Sequence, residues 1–273
     1  MEKISKLGRW FFAIAIVAFG IQHFIYAVFL KGIGPPWFPG RPLWACLSGV
    51  VLTATGGAIL FGKKAPWAAT LLGAMMLLLF LLLHMPRVAA NLRDADKRTS
   101  AFEVLAMCGV ALVLAGTLSD EQPGFQGWDN ARDNAAKLGR AFFAISMVVF
   151  GVDHFLFARF VAGLVPSWIP AHLFWVYLTG AGFIAAAVSI MVNRYVSLLA
   201  SLLGLMFLLW VLLLHAPRVV AALHNANEWT SAFVALAMCG GAFIVAGTLP
   251  GSKRKRSSGC GQTRPNSQAA RTA

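Results

Sequence analysis

Eight apolar stretches, each long enough to cross a lipid bilayer, follow one another along this sequence with short polar breaks between them. They cover approximately residues 8 to 30, 43 to 61, 65 to 90, 98 to 118, 138 to 161, 172 to 192, 195 to 224 and 229 to 249. A hydrocarbon core of about 30 Å takes about 20 residues of α-helix to span. Inside lipid the backbone must satisfy its own hydrogen bonds, which a helix does within a single segment. The expected fold is therefore an all-α integral membrane protein with eight transmembrane helices. Composition agrees: 59% of the 273 residues are hydrophobic and 12% are charged, against about 25% charged in soluble domains. The first stretch continues from Phe24 to Leu30 without a small-residue cleavage site, so it reads as a retained anchor and not as a signal peptide.

The eight segments fall into two sets. A shift of 131 positions lays residues 8 to 118 on residues 139 to 249 without a gap, with close to half the aligned residues identical. LGRWFFAIAIVAFGIQHF meets LGRAFFAISMVVFGVDHF, PPWFP meets PSWIP, LLLHMPRV meets LLLHAPRV, and RTSAFEVLAMCG meets WTSAFVALAMCG. A tandem duplication of a four-helix unit is implied. Because four crossings return the chain to its starting side, the units are expected to be parallel repeats about an axis along the membrane normal. The division is residues 1–118 for the first unit, 119–137 for a polar cytoplasmic linker, 138–249 for the second unit, and 250–273 for a basic tail expected to be disordered.

Charge orients this arrangement. The side with both termini and the linker holds Lys3, Lys6, Arg9, Lys63, Lys64, Arg132, Lys137, Arg140, Arg194 and the basic run 253–256. By the positive-inside rule both termini are cytoplasmic, and the formal charge of +13 is chiefly a topology signal. The tail suits contact with anionic lipid. No folded basic face with interleaved aromatics points to nucleic acid.

With that orientation the polar residues inside the spans gather toward the outer leaflet. His23 and His84, and their counterparts His154 and His215, lie well past the middle of their helices, and Glu103 stands near the outer start of the fourth span. His84 and Arg87, like His215 and Arg218, are three apart and so share a helical face. Pro86, placed between them, should kink the helix and free a carbonyl such as that of Leu82. The expected product is a donor-rich rim above the leucine wall, able to hold the oxygen-bearing head group of an amphiphile. The structural alternative is that the arginines snorkel to head groups and the histidines lock neighbouring helices. Trp37 and Trp168, each between two prolines in PPWFP (35–39) and PSWIP (166–170), read as interfacial anchors or as lids over such a pocket. The candidate ligand-binding set is thus His23, His84, Arg87, Glu103, His154, His215, Arg218, Trp37 and Trp168.

Cys46, Cys108, Cys239 and Cys260 form no C-x-x-C and no zinc spacing, so no metal site is expected. Cys108 and Cys239 each lie in an Ala-Met-Cys-Gly run suited to close helix packing. Haem held between His23 and His84 is not expected, because their estimated depths differ by about 5 Å at the helical rise.

The pattern GRxFFAI, FGxxHF, PxWxP, LLLHxPR and (W/R)TSAF on four helices resembles the DoxX-like membrane proteins of bacteria and archaea, here as two fused copies covering nearly the whole chain. The resemblance implies a multi-pass protein of the cytoplasmic membrane, in a family whose namesake is associated with thiosulfate:quinone oxidoreductase. It brings no settled catalytic residue. The expected function is an accessory subunit of a quinone-linked redox system, with quinone as ligand, the bilayer as surroundings and a redox partner subunit supplying electrons. A small-solute transporter and a structural or assembly protein are the alternatives.

Overall fold

The computed structural model describes residues 1–26, 40–62, 64–118 and 126–248. Among them eight helices are long and apolar enough to cross a membrane. They are α1 (Glu2–Ile25), α2 (Arg41–Phe61), α3 (Ala65–Ala90), α4 (Ala95–Thr117), α5 (Gln126–Leu156), α6 (His172–Val192), α7 (Val196–Ala221) and α8 (Ala226–Ala246). The PPWFP segment with Trp37, residues 119–125, and the tail from residue 249 lie outside the described residues.

The helix starts follow local chemistry. Asp94 caps α4, its carboxylate accepting the Lys97 amide at 3.2 Å, and Asn225 caps α8 by accepting the Asn227 amide at 3.0 Å. Such acceptors satisfy amides that a helix leaves unpaired in its first turn. Lys97 also pairs with the Asp94 carboxylate at 2.9 Å. Its ammonium and then its amide hold that carboxyl below the usual range. At the turn between α2 and α3, Gly62 takes φ 78°, where a side chain would be strained.

Each helix packs on the next, and α1 also packs along α8, so the eight form a closed circuit with α4 and α8 touching across its middle. The central pair is accordingly the most buried. From Leu105 to Ala115 only Leu112 is not buried, and Ala237 to Ala246 are buried without interruption. Glycine makes the close crossings possible. A Cβ on Gly8 would stand 2.6 Å from the Gly240 carbonyl oxygen, and one on Gly109 would stand 2.5 Å from that of Gly139. The first of these pairs joins α1 to α8 and the second joins α4 to α5. Helix α1 thus lies along α8, and α4 along α5. Cys108 and Cys239 are buried in these contacts, and the Cys108 thiol donates to the Gly73 carbonyl at 3.3 Å.

Two local expectations need correction. The segment 119–137 is expected to be an exposed linker; its residues from Gln126 onward are helical, the start of the 31-residue α5, with Asn130, Ala131, Asp133, Asn134 and Lys137 exposed. The Arg132 guanidinium donates to the Leu118 carbonyl, and Ala136 faces Gly116. The polar residues from Gln126 onward are thus the first turns of a helix and not a loop. The second correction concerns the prolines. Ahead of Pro86 and Pro217 the chain widens into π-helical turns, Phe80–His84 and Val211–His215. The Met85 amide donates to the Phe80 carbonyl and the Ala216 amide to that of Val211, each five residues back. An extra residue in the turn moves the carbonyls that a proline ring would otherwise strike, so the obstruction is absorbed by widening.

Candidate functional site

The polar side chains of the spans collect at the end of the bundle away from the termini, but they do not face one another. Their helical faces decide this. His84 is the last residue of the first π turn and is buried, with Val88 buried one turn beyond it. Leu81 and Leu82 are 50% and 67% exposed on the other side of the same helix. The imidazole therefore points into the bundle while the leucine wall points toward lipid. The rim expected from sequence, with head group on the histidine and tail along those leucines, is divided between two faces. Arg87 is half-buried. In the second copy the His215 Nδ1 is buried with no hydrogen-bond partner, and the Arg218 guanidinium donates to the Leu164 carbonyl at 2.9 Å.

His23 and His154 are fixed by their own helices. Nδ1 of His23 lies 2.7 Å from the Phe19 carbonyl oxygen, and Nδ1 of His154 lies 2.8 Å from that of Phe150. A carbonyl only accepts, so Nδ1 is the donor in both rings, and in the neutral ring Nε2 keeps a free lone pair. The surroundings of the two rings differ. His154 lies 5.2 Å from the Phe183 ring and is stacked on Trp210 at 5.9 Å and 13°. Phe207 closes against both Phe183 and Trp210, with ring centroids 5.5 Å apart in each case. Around His23 the matching positions are Leu52, Met76 and Leu79, and His23 meets no ring among the described residues.

Beside these histidines the two α1-type helices carry Gln22 and Asp153, both buried. Asp153 receives the Arg98 guanidinium from α4 through two nitrogens, Nε at 3.2 Å and Nη2 more closely. The side chains are 19% and 10% exposed. Arg98 also donates to the Leu92 carbonyl at 3.0 Å and lies 5.5 Å from the Phe157 ring centroid. At the equivalent place Gln22 accepts from the Thr230 hydroxyl at 3.3 Å, and its Nε2 is buried without a partner. Trp229 stands where Arg98 stands in the first copy, and its indole N–H donates to the Leu223 carbonyl at 2.9 Å. The Arg98–Asp153 pair was missing from the sequence expectation. Its signal was present as one charge of each sign near the adjoining ends of consecutive spans, away from the termini.

Glu103 sits half-buried in the third turn of α4, with no hydrogen-bond or ion-pair partner among the described residues. Trp168 is exposed and does not line the open depression of about 530 Å³ formed by Ser167, Ile169 to Leu173 and Phe174. The Trp175 indole ties that loop to α6 through the Pro170 carbonyl at 3.1 Å. Among the described residues no group of three or more His, Cys, Asp or Glu side chains is placed to hold a metal.

Comparison with known proteins leaves this geometry to speak for itself: the chain matches no family model, no curated protein and no solved structure.

Proposed function

We propose that this chain is an accessory subunit of a quinone-linked membrane redox system, built as two parallel DoxX-like four-helix repeats with both termini cytoplasmic. In this reading the end opposite the termini lies in the outer leaflet and holds the oxygen-bearing head group of a quinone-type amphiphile. A redox partner subunit delivers the electrons. The Lys and Arg excess at the terminal end supports the orientation, and the quoted motifs support the resemblance.

The single observation that carries the ligand reading is the state of His23. Its Nδ1 is committed to the Phe19 carbonyl, which leaves Nε2 as an acceptor within an apolar bundle. An acceptor at that depth suits a hydroxyl donor such as a quinol, and a polar group inside a membrane span is a functional candidate by default. A structural role is the second reading, favoured by Arg98 and Asp153, whose donors and acceptors are consumed within the protein. That reading accounts for the α4–α5 contact and gives His23 nothing to do.

The test is to purify the protein in mild detergent and measure the quinone extracted per chain beside the melting temperature. The variants are His23→Gln, His84→Gln and Arg87→Lys. Loss of quinone at an unchanged melting temperature supports the reading. Full retention of quinone, or a loss that tracks stability, returns these residues to the role of helix locks. Proteins that co-purify name the redox partner.

A further inference from the structure

The two histidines His23 and His154 do not have the same residues beside them. In the second copy the Trp210 indole lies nearly parallel to the His154 ring, and Phe183 and Phe207 pack around it. One planar aromatic group is therefore already lodged there, supplied by the chain itself. In the first copy the residue matching Trp210 is Leu79, and those matching Phe183 and Phe207 are Leu52 and Met76. The backbone around the two histidines is otherwise built alike. Each Nδ1 donates four residues back, to Phe19 or Phe150. Gly49 packs on the Cβ of His23 as Gly180 packs on that of His154. The α3 and α7 helices that follow each carry a π turn closed by a histidine, His84 or His215.

We propose that the chain binds one ring-bearing head group per molecule, of quinone or hydroquinone type, beside His23 in the place that the Trp210 indole takes beside His154. Trp210 is then the residue that makes the second site unavailable, and Leu79 the residue that leaves the first one free. Stacking against a flat ring suits the imidazole face, as Trp210 demonstrates within the protein. This inference rests on the ligand reading given above. It adds the number of sites, their location in the first copy, and the residue that decides between the copies.

The experiment uses the full chain in detergent with decylubiquinol as probe and has two independent readouts. Equilibrium dialysis gives probe bound per chain. We expect one in the native protein, two in Trp210→Leu and none in Leu79→Trp. Native protein that binds two, or Leu79→Trp that still binds one, overturns the inference. The second readout needs no ligand: diethyl pyrocarbonate modification followed by mass spectrometry. His23 is expected to react several-fold faster than His154, and Trp210→Leu is expected to bring His154 up to the rate of His23. Equal rates in the native protein overturn the inference whatever the dialysis shows. If His23 reacts faster but no variant binds decylubiquinol, the difference between the copies stands and the quinone reading falls.

Discussion

The α4–α5 seam and the α1–α8 seam join the same two sequence repeats and share the same glycine crossing, Gly109 on Gly139 in one and Gly8 on Gly240 in the other. They differ at the end away from the termini. The first is closed by the Arg98 guanidinium on the Asp153 carboxylate, the second by the Thr230 hydroxyl on the Gln22 amide, with the Gln22 Nε2 left unpaired. Even the replacement of Arg98 by Trp229 keeps one function, since each donates to the carbonyl six residues before it, Leu92 or Leu223. What differs is the charge carried across the seam. Backbone approach is set by the glycines, whereas side-chain chemistry sets how much one seam resists opening relative to the other.

The largest effect should separate the seams outright. Asp153→Ala leaves the part-buried Arg98 guanidinium with only the Leu92 carbonyl and should destabilise the protein by about 2–3 kcal/mol. Gln22→Ala removes one neutral hydrogen bond and should cost about 1 kcal/mol. Reversible unfolding in mixed micelles measures both, and equal losses would dissolve the distinction. Next, alanine at Gly109 and at Gly8 should cost about 1–3 kcal/mol each, because the added methyl meets a backbone oxygen that no side-chain rotation can move. Here the seams should behave alike, and a twofold disparity would locate the difference in the backbone. A smaller change comes from exchanging the chemistry. Arg98→Trp with Asp153→Gln copies the α1–α8 arrangement and should recover at least half of the Asp153→Ala loss, since no unpaired charge remains. A double-mutant cycle reads the coupling directly.

The smallest effect concerns the helix caps. Asp94 is held below the ordinary carboxylate range, mainly by Lys97, while Asn225 does the same capping without titrating. A carboxyl depressed in the folded state contributes stability above its unfolded pKa and loses it as pH falls through the folded value. The protection factor of the Lys97 amide, taken against its intrinsic exchange rate at each pH, should therefore fall on acidification, and that of Asn227 should not show that step. Asp94→Asn should remove the difference.

Helix number was legible in the sequence because apolar length determines it, whereas the polar first turns of α5 were not. The Ala-Met-Cys-Gly runs likewise announced close packing, and Cys108 and Cys239 are buried as such runs require. The site was legible only in part. That His23, His84, His154 and His215 share one end follows from their positions along the spans. The face each one presents depends on local winding, and the π turns before Pro86 and Pro217 shift that winding in a way no fixed helical period anticipates. Arg98 and Asp153 lie 55 residues apart, and their meeting depends on which helices are neighbours. The same holds for Trp210, which looks like one more apolar residue until its ring is seen against His154.

The packing of α1 along α8 also sets a schedule for biogenesis. Gln22 and Thr230 are 208 residues apart, which at synthesis rates of about 5–20 residues per second is roughly 10–40 s of elongation. Through that interval α1 is already made while its glycine face and the buried amide of Gln22 have no permanent neighbour. The α4–α5 seam forms between helices made one after the other and waits for nothing. The first helix must therefore be tolerated by lipid, or shielded by the insertion machinery, until the last one arrives. A ribosome stalled before α8 should leave a nascent chain whose α1 is selectively open to cross-linking and proteolytic surveillance.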